Sequence, residues 1–200
     1  MEKFRVLLLL CSLCSISMIS YAIDTMTTTQ SLTDGNTVVS SGGSFELGFF
    51  SPPGNSKYWY LGIWYKKISK TAKTVVWVAN RDIPLTDTLG VLNITNQGTL
   101  TLFNSSNNII WSSNSLRSAQ NPVARLLESG NFVVCDDGNR QDYIWQSFDY
   151  PSDTFMPGMK LGRNLVTGVD WYLWSYKTNN DPSRGDYKFL LDPPVFLNCY

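Results

Sequence analysis

A tryptophan recurs at a fixed interval along this chain of 200 residues. Trp77, Trp111 and Trp145 are separated by 34 residues each, and each follows an aliphatic residue at the end of an apolar segment. A fixed interval of this length is typical of a structural unit that buries its apolar face only against copies of itself. The repeat therefore predicts three similar units packed about a pseudo-threefold axis, with the three indoles forming a shared core.

Short apolar segments separated by turn residues fill the chain between residues 30 and 150. They are rich in Val, Ile, Phe, Tyr and Trp, a composition typical of β-strands. Asn96–Gly98 and Asn104–Asn108 predict turns, because Asn and Gly tolerate positive φ angles. Strands are predicted over nine segments: Ser44–Phe50, Tyr58–Lys66, Thr74–Ala79, Val91–Ile94, Thr99–Phe103, Ile109–Ser112, Ala124–Leu127, Asn131–Cys135 and Tyr143–Gln146. Strands this short and this numerous predict an all-β fold, either a barrel, a sandwich or a prism.

A second repeat places a glycine directly before a strand. Gly43, Gly98 and Gly130 begin the segments GSFEL, GTLTL and GNFVV, which share an alternation of polar and apolar residues. This series runs in step with the tryptophans and supports the same division into three units.

The composition excludes several classes of function. The chain contains no histidine, which excludes Ser-His-Asp and Cys-His catalysis and zinc sites built on histidine. It carries 16 basic and 16 acidic residues, so it lacks the net positive charge of a nucleic-acid-binding protein. We therefore expect no metal, no cofactor and no nucleic-acid partner.

Residues 1–22 have the pattern of a secretory signal peptide. Lys3 and Arg5 precede a short apolar segment, and Ser20 and Ala22 place small residues at the positions that a cleavage site requires. Serines interrupt the apolar segment, which is shorter than the ~20 residues of a membrane-spanning helix, although an uncleaved anchor is the alternative. We expect a secreted mature chain with no membrane span.

Signal cleavage would leave Cys135 and Cys199 of the four cysteines. Two cysteines in an oxidising compartment could form one disulfide, but Cys199 is the penultimate residue, so their pairing stays open. Cys135 could instead be a reactive thiol. We do not expect this, because Asp136 and Asp137 follow it and should raise its pKa.

Several segments carry a resemblance to a known family: Phe45–Pro52, Leu61–Tyr65, Val76–Asp82, Trp145–Thr154 and Pro157–Gly162. On these segments the chain resembles the bulb-type lectin part of plant S-locus glycoproteins and of G-type lectin S-receptor-like serine/threonine kinases. The resemblance extends over roughly residues 24–192. It implies a β-prism of three four-stranded sheets related by a pseudo-threefold axis, followed by a short C-terminal β extension.

The resemblance also implies a domain organisation. Residues 23–152 would form the bulb-type lectin domain, and residues 153–193 would begin an S-locus glycoprotein-like region. Residues 194–200 diverge from the family pattern, which we attribute to a truncated gene model, an early stop or alternative splicing. The sequence has no glycine-rich nucleotide loop, catalytic-loop aspartate or Asp-Phe-Gly, so we expect no kinase activity and no other enzymatic activity.

Mannose-binding members of the wider family use the pattern Gln-x-Asp-x-Asn-x-Val-x-Tyr on one strand of each sheet, where alternate side chains share a face. Three segments align with it: Ser40, Gly42, Ser44, Glu46 and Gly48; Thr95, Gln97, Thr99, Thr101 and Phe103; Leu127, Ser129, Asn131, Val133 and Cys135. Asn131 and Val133 match the pattern, and no segment keeps the aspartate. A site that loses its hydrogen-bonding partners loses affinity for hydroxyl groups. We therefore predict degenerate carbohydrate sites, with a different glycan as the alternative ligand.

Two N-glycosylation sequences lie near the central segment. Asn93-Ile-Thr alternates with apolar residues, so Asn93 is predicted to face outward, and Asn104-Ser-Ser begins a predicted turn. A glycan on Asn93 would crowd the central carbohydrate position.

Asp149 and Asp153 flank Pro151, and a pair of carboxylates is the basis of glycoside hydrolysis. Aspartates beside proline more often build turns, so we predict no catalytic residue here. Arg81 and Asp82 are interpreted in the same way, as a structural ion pair or a turn contact.

Two aromatic segments do not fit a single core: Trp59, Tyr60, Trp64 and Tyr65, and Trp171, Tyr172, Trp174 and Tyr176. Since neighbouring residues point to opposite sides of a strand, we expect the first segment to be either a binding patch or covered by a loop or second domain. We expect the second to pair with an S-locus region absent from this chain, which would leave apolar surface exposed.

The leading hypothesis is a secreted, non-catalytic recognition module that resembles the ectodomain of an S-locus-type receptor. The resemblance implies a role in cell-surface recognition, such as recognition of pollen or defence signalling, with weakly bound glycans or a receptor-like ectodomain as partners. One alternative is an active mannose-binding lectin used in defence or storage. Another is a fragment of a receptor kinase gene without independent function.

Overall fold

The computed structural model describes residues 23–54, 57–68, 73–115 and 117–191. The predicted signal peptide, Cys199 and the predicted divergent tail lie outside the described residues.

Twelve strands form three antiparallel sheets of four strands each. The strands are β1 (Thr25–Thr27), β2 (Ser31–Thr33), β3 (Thr37–Val39), β4 (Phe45–Phe50), β5 (Tyr60–Tyr65), β6 (Val75–Val78), β7 (Val91–Ile94), β8 (Leu100–Phe103), β9 (Ile109–Ser112), β10 (Pro122–Leu126), β11 (Phe132–Asp136) and β12 (Asn139–Gln146). Sheet A has the order β1-β10-β11-β12, sheet B the order β2-β7-β8-β9, and sheet C the order β3-β4-β5-β6. The predicted all-β fold of three four-stranded sheets, a β-prism, is confirmed.

Each sheet combines three consecutive strands with one short strand from the N-terminal region. Every predicted segment overlaps a strand, but the sequence patterns did not indicate β1, β2 and β3. Each of these has three residues, which is too short for a recognisable alternation. β1 and β2 pair with strands that follow much later in the chain, such as Met26 opposite Ala124, whereas β3 pairs with the next strand, β4.

The three repeated indoles lie in mutual contact where the sheets converge. Ring centroids are 6.0 Å apart for Trp77 and Trp111, 6.1 Å for Trp77 and Trp145, and 5.8 Å for Trp111 and Trp145, all edge to face. Trp77 and Trp145 are buried, and Trp111 is half-buried. Each indole occupies the same place in its sheet, since Ile63, Leu102 and Val134 are their respective cross-strand neighbours.

A buried polar side chain follows each indole and serves the same purpose in all three sheets. It accepts a hydrogen bond from the backbone N–H of the first or second residue of a central strand. Without this bond, that N–H group would be unsatisfied in the core. The three pairs are Asn80 with Leu61 (2.8 Å), Ser113 with Leu100 (3.0 Å) and Ser147 with Phe132 (2.9 Å). The pseudo-threefold repeat therefore includes hydrogen bonding as well as apolar packing.

The chain after the prism forms one short helical turn and two small sheets. Ser147–Asp149 is a 3-10 turn, β13 (Gly162–Arg163) pairs with β14 (Asp170–Trp171), and β15 (Leu173–Thr178) pairs with β16 (Asp181–Phe189). The expectation that the second aromatic segment pairs with strands absent from this chain is wrong for β15, which forms a hairpin with β16. The turn that joins them is short enough for the two strands to find each other locally.

The hairpin is held against the prism by Arg81. Its guanidinium donates hydrogen bonds to the carbonyl oxygens of Pro182 (2.8 Å), Trp174 (3.1 Å) and Ser175 (3.0 Å). Backbone carbonyls therefore bind Arg81, and Asp82 is not its ion-pair partner. The carboxylate of Asp82 lies 3.3 Å from the guanidinium of Arg184 in the hairpin.

Candidate functional site

The aligned carbohydrate positions cross turns, contrary to the expectation that each set lies on one strand. The backbone N–H of Thr95 bonds the carbonyl of Thr99, and that of Leu127 bonds the carbonyl of Asn131, so each pair closes a hairpin. Gly98 and Gly130 turn the chain at φ angles of 88° and 84°. A residue other than glycine is strained at such an angle, which explains the glycine before each strand. In each set only the last two members lie on a strand, on the face opposite the indole core.

On sheet C the aligned Glu46 is bonded within the protein. Its carboxylate accepts hydrogen bonds from the indole N–H of Trp64 (2.9 Å) and the hydroxyl of Thr37 (2.8 Å), and Lys66 lies 3.8 Å away. The ring of Trp64 lies over Gly48, where a Cβ atom would come within 3.0 Å of it. The other aligned residues, Ser40, Gly42 and Ser44, belong to the turn that precedes β4. Internal contacts therefore occupy this position.

The first aromatic segment is covered by the hairpin. Tyr60 and Trp64 are buried in a small cluster with Phe50 and Val78, against which Tyr176 of β15 packs. The expectation of an exposed patch is therefore wrong for Tyr60 and Trp64, and the alternative, burial beneath another part of the chain, is correct. Burial raises the pKa of Tyr60 to about 12.

A cleft of about 850 Å³ lies between sheet C and the hairpin. Its walls include Trp59, Trp64 and Tyr176, and the ammonium group of Lys73 lies 3.6 Å above the ring of Trp64. Partial burial lowers the pKa of Lys73. The sequence did not indicate this cleft, because its two walls come from regions more than 100 residues apart.

On sheet B the aligned Thr101 is buried, and Thr99 and Phe103 are half-buried. The hydroxyl of Thr95 accepts a hydrogen bond from the backbone N–H of Thr99 at 3.1 Å, so it stabilises the turn. Gln97 is exposed at the tip of that turn. Nothing on this face places a carboxylate beside an amide, the pair that the family pattern requires.

On sheet A the aligned Asn131 matches the family pattern in type but is fully engaged. Its Nδ2 donates to Gln146 (2.9 Å), and its Oδ1 accepts from the hydroxyl of Ser147 and the backbone N–H of Phe148, both at 3.2 Å. An amide with these partners has little capacity left for a sugar hydroxyl.

The remaining sheet A positions offer little to a ligand. Val133 and Cys135 are completely buried, Leu127 is half-buried and Ser129 is exposed. Among the described residues Cys135 has no disulfide partner. Its pKa is raised chiefly by burial, which outweighs the lowering by Arg125 and Arg140. A buried thiol with a raised pKa is a poor nucleophile.

Asn93 and Asn104 lie on the same sheet in different surroundings. Asn93 is half-buried on β7 between Ser31 and Thr101. Asn104 follows β8, and its Oδ1 accepts hydrogen bonds from the backbone N–H groups of Ser106 (3.0 Å) and Asn108 (2.9 Å). The side-chain oxygen of Asn104 therefore stabilises this turn, and its side-chain nitrogen takes no part in these hydrogen bonds.

The two aspartates around Pro151 have structural contacts. Asp149 accepts a hydrogen bond from the side chain of Gln146 at 3.0 Å and lies 3.9 Å from Lys160. Asp153 accepts one from Thr154 at 2.9 Å, and burial raises its pKa. Across the part of the chain that the structure describes, no cluster of three or more Cys, Asp or Glu side chains could hold a metal ion.

Residues 74–177, about half of the chain, match the family model described as D-mannose binding lectin. This chain belongs to that lectin family. The match includes all three indoles, so the repeat that organises the core is part of what defines the family.

The lectin is similar over most of its length to much longer plant proteins. It is 44% identical over 195 residues to the S-locus-specific glycoprotein S6 of Brassica oleracea, which covers 94% of this chain and 42% of that protein. It is 45% identical over 179 residues to the G-type lectin S-receptor-like serine/threonine-protein kinase SRK of Arabidopsis thaliana, which covers 87% of this chain and 20% of the kinase. The chain thus spans less than half of the length of these relatives.

Solved structures similar to the lectin include two plant mannose-binding proteins. A monomeric lectin from Gastrodia elata is 20% identical with a TM-score of 0.46, and the match covers 62% of this chain and 96% of that one. The mannose-specific agglutinin of snowdrop (Galanthus nivalis) is also 20% identical, with a TM-score of 0.43 and coverage of 60% and 94%.

In the described portion of the lectin, no helix has the length and apolar character needed to cross a bilayer.

Proposed function

We propose that this chain is a secreted, non-catalytic recognition module that does not bind mannose at the three positions used by its family. The observation that carries the proposal is that, on each sheet, at least one aligned side chain bonds or packs within the protein. Glu46 is held by Trp64 and Thr37, Asn131 is bonded by three partners, and Thr101 is buried.

The relatives support a role in recognition at the cell surface. S-locus glycoproteins and S-receptor-like kinases share about 45% identity with this chain over 87–94% of its length. By this likeness, the module acts in recognition of pollen or in defence signalling, with a receptor-like ectodomain as partner. Secretion rests on the signal pattern of residues 1–22, with residues 23–152 as the lectin domain and residues 153–193 as the beginning of the next region.

Titration with sugars tests the proposal. The secreted protein is immobilised and titrated with methyl α-mannoside and with a high-mannose glycan, and snowdrop agglutinin serves as the positive control. We expect no saturable binding up to about 10 mM sugar. At this concentration, a ligand with a standard free energy of binding of about −3 kcal/mol would still be detected. Saturable binding in the millimolar range or tighter contradicts the proposal.

A variant with the family pattern restored sharpens this test. The central segment is changed at five positions: Thr95→Gln, Gln97→Asp, Thr99→Asn, Thr101→Val and Phe103→Tyr. If absent hydrogen-bonding groups alone explain the loss of binding, the variant gains affinity for mannose. If the variant folds and still does not bind, the surrounding surface also opposes binding, and the proposal is strengthened.

The second candidate function is an active mannose-binding lectin. The family model supports it, since the matched family is described by D-mannose binding. The same titration decides between the two functions, and binding that is lost in Asn131→Ala would assign the sugar to sheet A.

A further inference from the structure

The outer face of sheet B carries a row of small polar residues, one from each strand. Ser31 of β2 lies opposite Asn93 of β7, Asn93 lies opposite Thr101 of β8, and Thr101 lies opposite Ser112 of β9. Directly opposed residues in adjacent strands have Cβ atoms about 5 Å apart, so the row is a continuous polar strip across the sheet. Sheet C carries a buried aromatic cluster in the corresponding region.

Asn93 is the unusual member of this row. Its side-chain Oδ1 is buried and accepts no hydrogen bond. A buried acceptor without a donor is rare in proteins and indicates a missing partner, either water or a bound group. Among the described contacts its Nδ2, the atom that carries an N-linked sugar, donates no hydrogen bond either.

Asn93 is also the acceptor of the sequence Asn-Ile-Thr, which is the substrate of N-glycosylation in the secretory pathway. The middle residue, Ile94, is buried in the core, which fixes Asn93 on the opposite, outward side of β7. Asn93 is half-buried and its neighbour Ser31 is exposed, so the strip is open to solvent at its β2 end, while Thr101 is buried.

We propose that Asn93 carries an N-linked glycan whose first sugars lie along this polar strip and cover the outer face of sheet B. The sugar hydroxyl and acetamido groups supply donors and acceptors beside Ser31, Thr101 and Ser112. The central carbohydrate position of the family, which lies on this face, is then occupied by the protein's own glycan. This inference rests on the secretion that the proposed function includes, but it does not depend on whether the protein binds free mannose.

The first measurement is occupancy. The full chain is produced in a secreting, glycosylating host, and its intact mass is determined before and after treatment with a peptide N-glycosidase. We expect Asn93→Gln to lose one glycan mass. Asn104→Gln removes the other acceptor sequence, so the mass that each variant loses is assigned to its own asparagine. Thr95→Ser keeps both the sequence motif and the hydroxyl that stabilises the turn, so it should keep the glycan on Asn93. A chain with an unmodified Asn93 overturns the proposal.

The second measurement is coverage of the face. Ser31→Cys is introduced together with Cys199→Ser, which leaves buried Cys135 as the other cysteine of the mature chain, and labelling by a maleimide is timed. We expect several-fold faster labelling when Asn93→Gln is added or when the glycan is removed enzymatically. Ser129→Cys, exposed on sheet A, should label equally fast in all forms.

Equal labelling of Ser31→Cys with and without an Asn93 glycan overturns the part of the proposal that places the sugars along the strip. Enzymatic removal keeps this outcome decisive if Asn93→Gln fails to fold, because the glycan is then removed from protein that has already folded. Mannose binding by the unmodified protein would contradict the proposed function but not this inference.

Discussion

Arg81 donates a hydrogen bond from its Nε to the carbonyl oxygen of Pro182 at 2.8 Å, although the two residues are 101 positions apart in the sequence. The same guanidinium bonds two further carbonyls of the hairpin, and Arg81 itself is 7% exposed. Among the described residues no carboxylate forms an ion pair with this guanidinium, so backbone dipoles stabilise its positive charge. The position of the C-terminal hairpin on the prism depends on this residue.

Replacement of Arg81 by Met should detach the hairpin. We expect the free energy of unfolding to fall by about 2–4 kcal/mol, because hydrogen bonds to a charged group are lost and buried carbonyls are left without a donor. Urea unfolding measures the change. Arg184→Met is the control, since its ion pair with Asp82 is exposed and should contribute less than about 1 kcal/mol. Equal effects of the two substitutions would contradict the anchoring role of Arg81.

Truncation of Trp77 to Ala should destabilise the prism by about 3–5 kcal/mol, the usual cost of removing a large aromatic side chain from a core. Trp77 contacts both other indoles and donates its indole N–H to the carbonyl of Tyr150 at 2.8 Å. Thermal and urea unfolding give the free energy. The comparison is Trp59→Ala, a half-buried tryptophan outside this cluster, which should cost clearly less. A smaller loss for Trp77 than for Trp59 would argue against a shared indole core.

Gly62→Ala should be poorly tolerated because the space above Gly62 is filled. An added Cβ atom would lie 2.8 Å from the backbone carbonyl oxygen of Trp77 and 2.7 Å from the ring of Phe50. The backbone atom cannot move aside without disturbing β6, so we expect a loss of about 1–3 kcal/mol, typical of overpacking. Gly138→Ala, whose nearest neighbour is a side-chain oxygen of Asp136 at 3.3 Å, is the matched control and should be nearly neutral. Denaturant midpoints of both variants check the difference.

The stability of Asp153→Asn should depend on pH in a defined direction. Burial raises the pKa of Asp153 in the folded protein above its ordinary value of 3.8. The folded state therefore holds this proton more strongly, and the stability that the neutral carboxyl contributes is lost as the pH rises through the folded pKa. We expect Asp153→Asn to be more stable than the unmodified protein at pH 7, with the difference shrinking as the pH falls towards 3.8.

Asp136→Asn should show the opposite dependence. Hydrogen bonds from the backbone N–H groups of Asn121, Gly138 and Gln120 lower the pKa of this exposed carboxylate below 3.8. Its contribution is present above the unfolded value and is lost as the pH falls through the folded pKa. The variant should therefore be less stable than the unmodified protein at pH 7, with the difference shrinking below about pH 3.8. Unfolding curves between about pH 2 and 7 test both signs together. The same sign for the two variants would contradict the assigned causes.

The sequence placed the aligned carbohydrate positions on segments of the chain, but it could not predict the contacts of their side chains. The glycine-led repeats predicted segments that enter β4, β8 and β11, and the weak carbohydrate sites inferred from the missing aspartate stay a prediction. The repeats did not show that Gly98 and Gly130 turn the chain within the aligned segments, so that the five positions of a set do not share one strand. The cleft beside Trp64 and the docking of Tyr176 were not predictable, since they join distant parts of the chain.

The sequence by itself determined the all-β class, the threefold repeat and the family, because each depends on local patterns or on regular spacing. Alternation of polar and apolar residues within a strand and the 34-residue period are present in the sequence itself, independently of any tertiary contact. The tertiary structure decided which polar groups remain free: whether Glu46 faces solvent or Trp64, whether Arg81 bonds Asp82 or the hairpin, and whether Asn93 has a partner. Those outcomes depend on distances between residues far apart in sequence, and hydrogen bonding changes from complete to absent within about 1 Å.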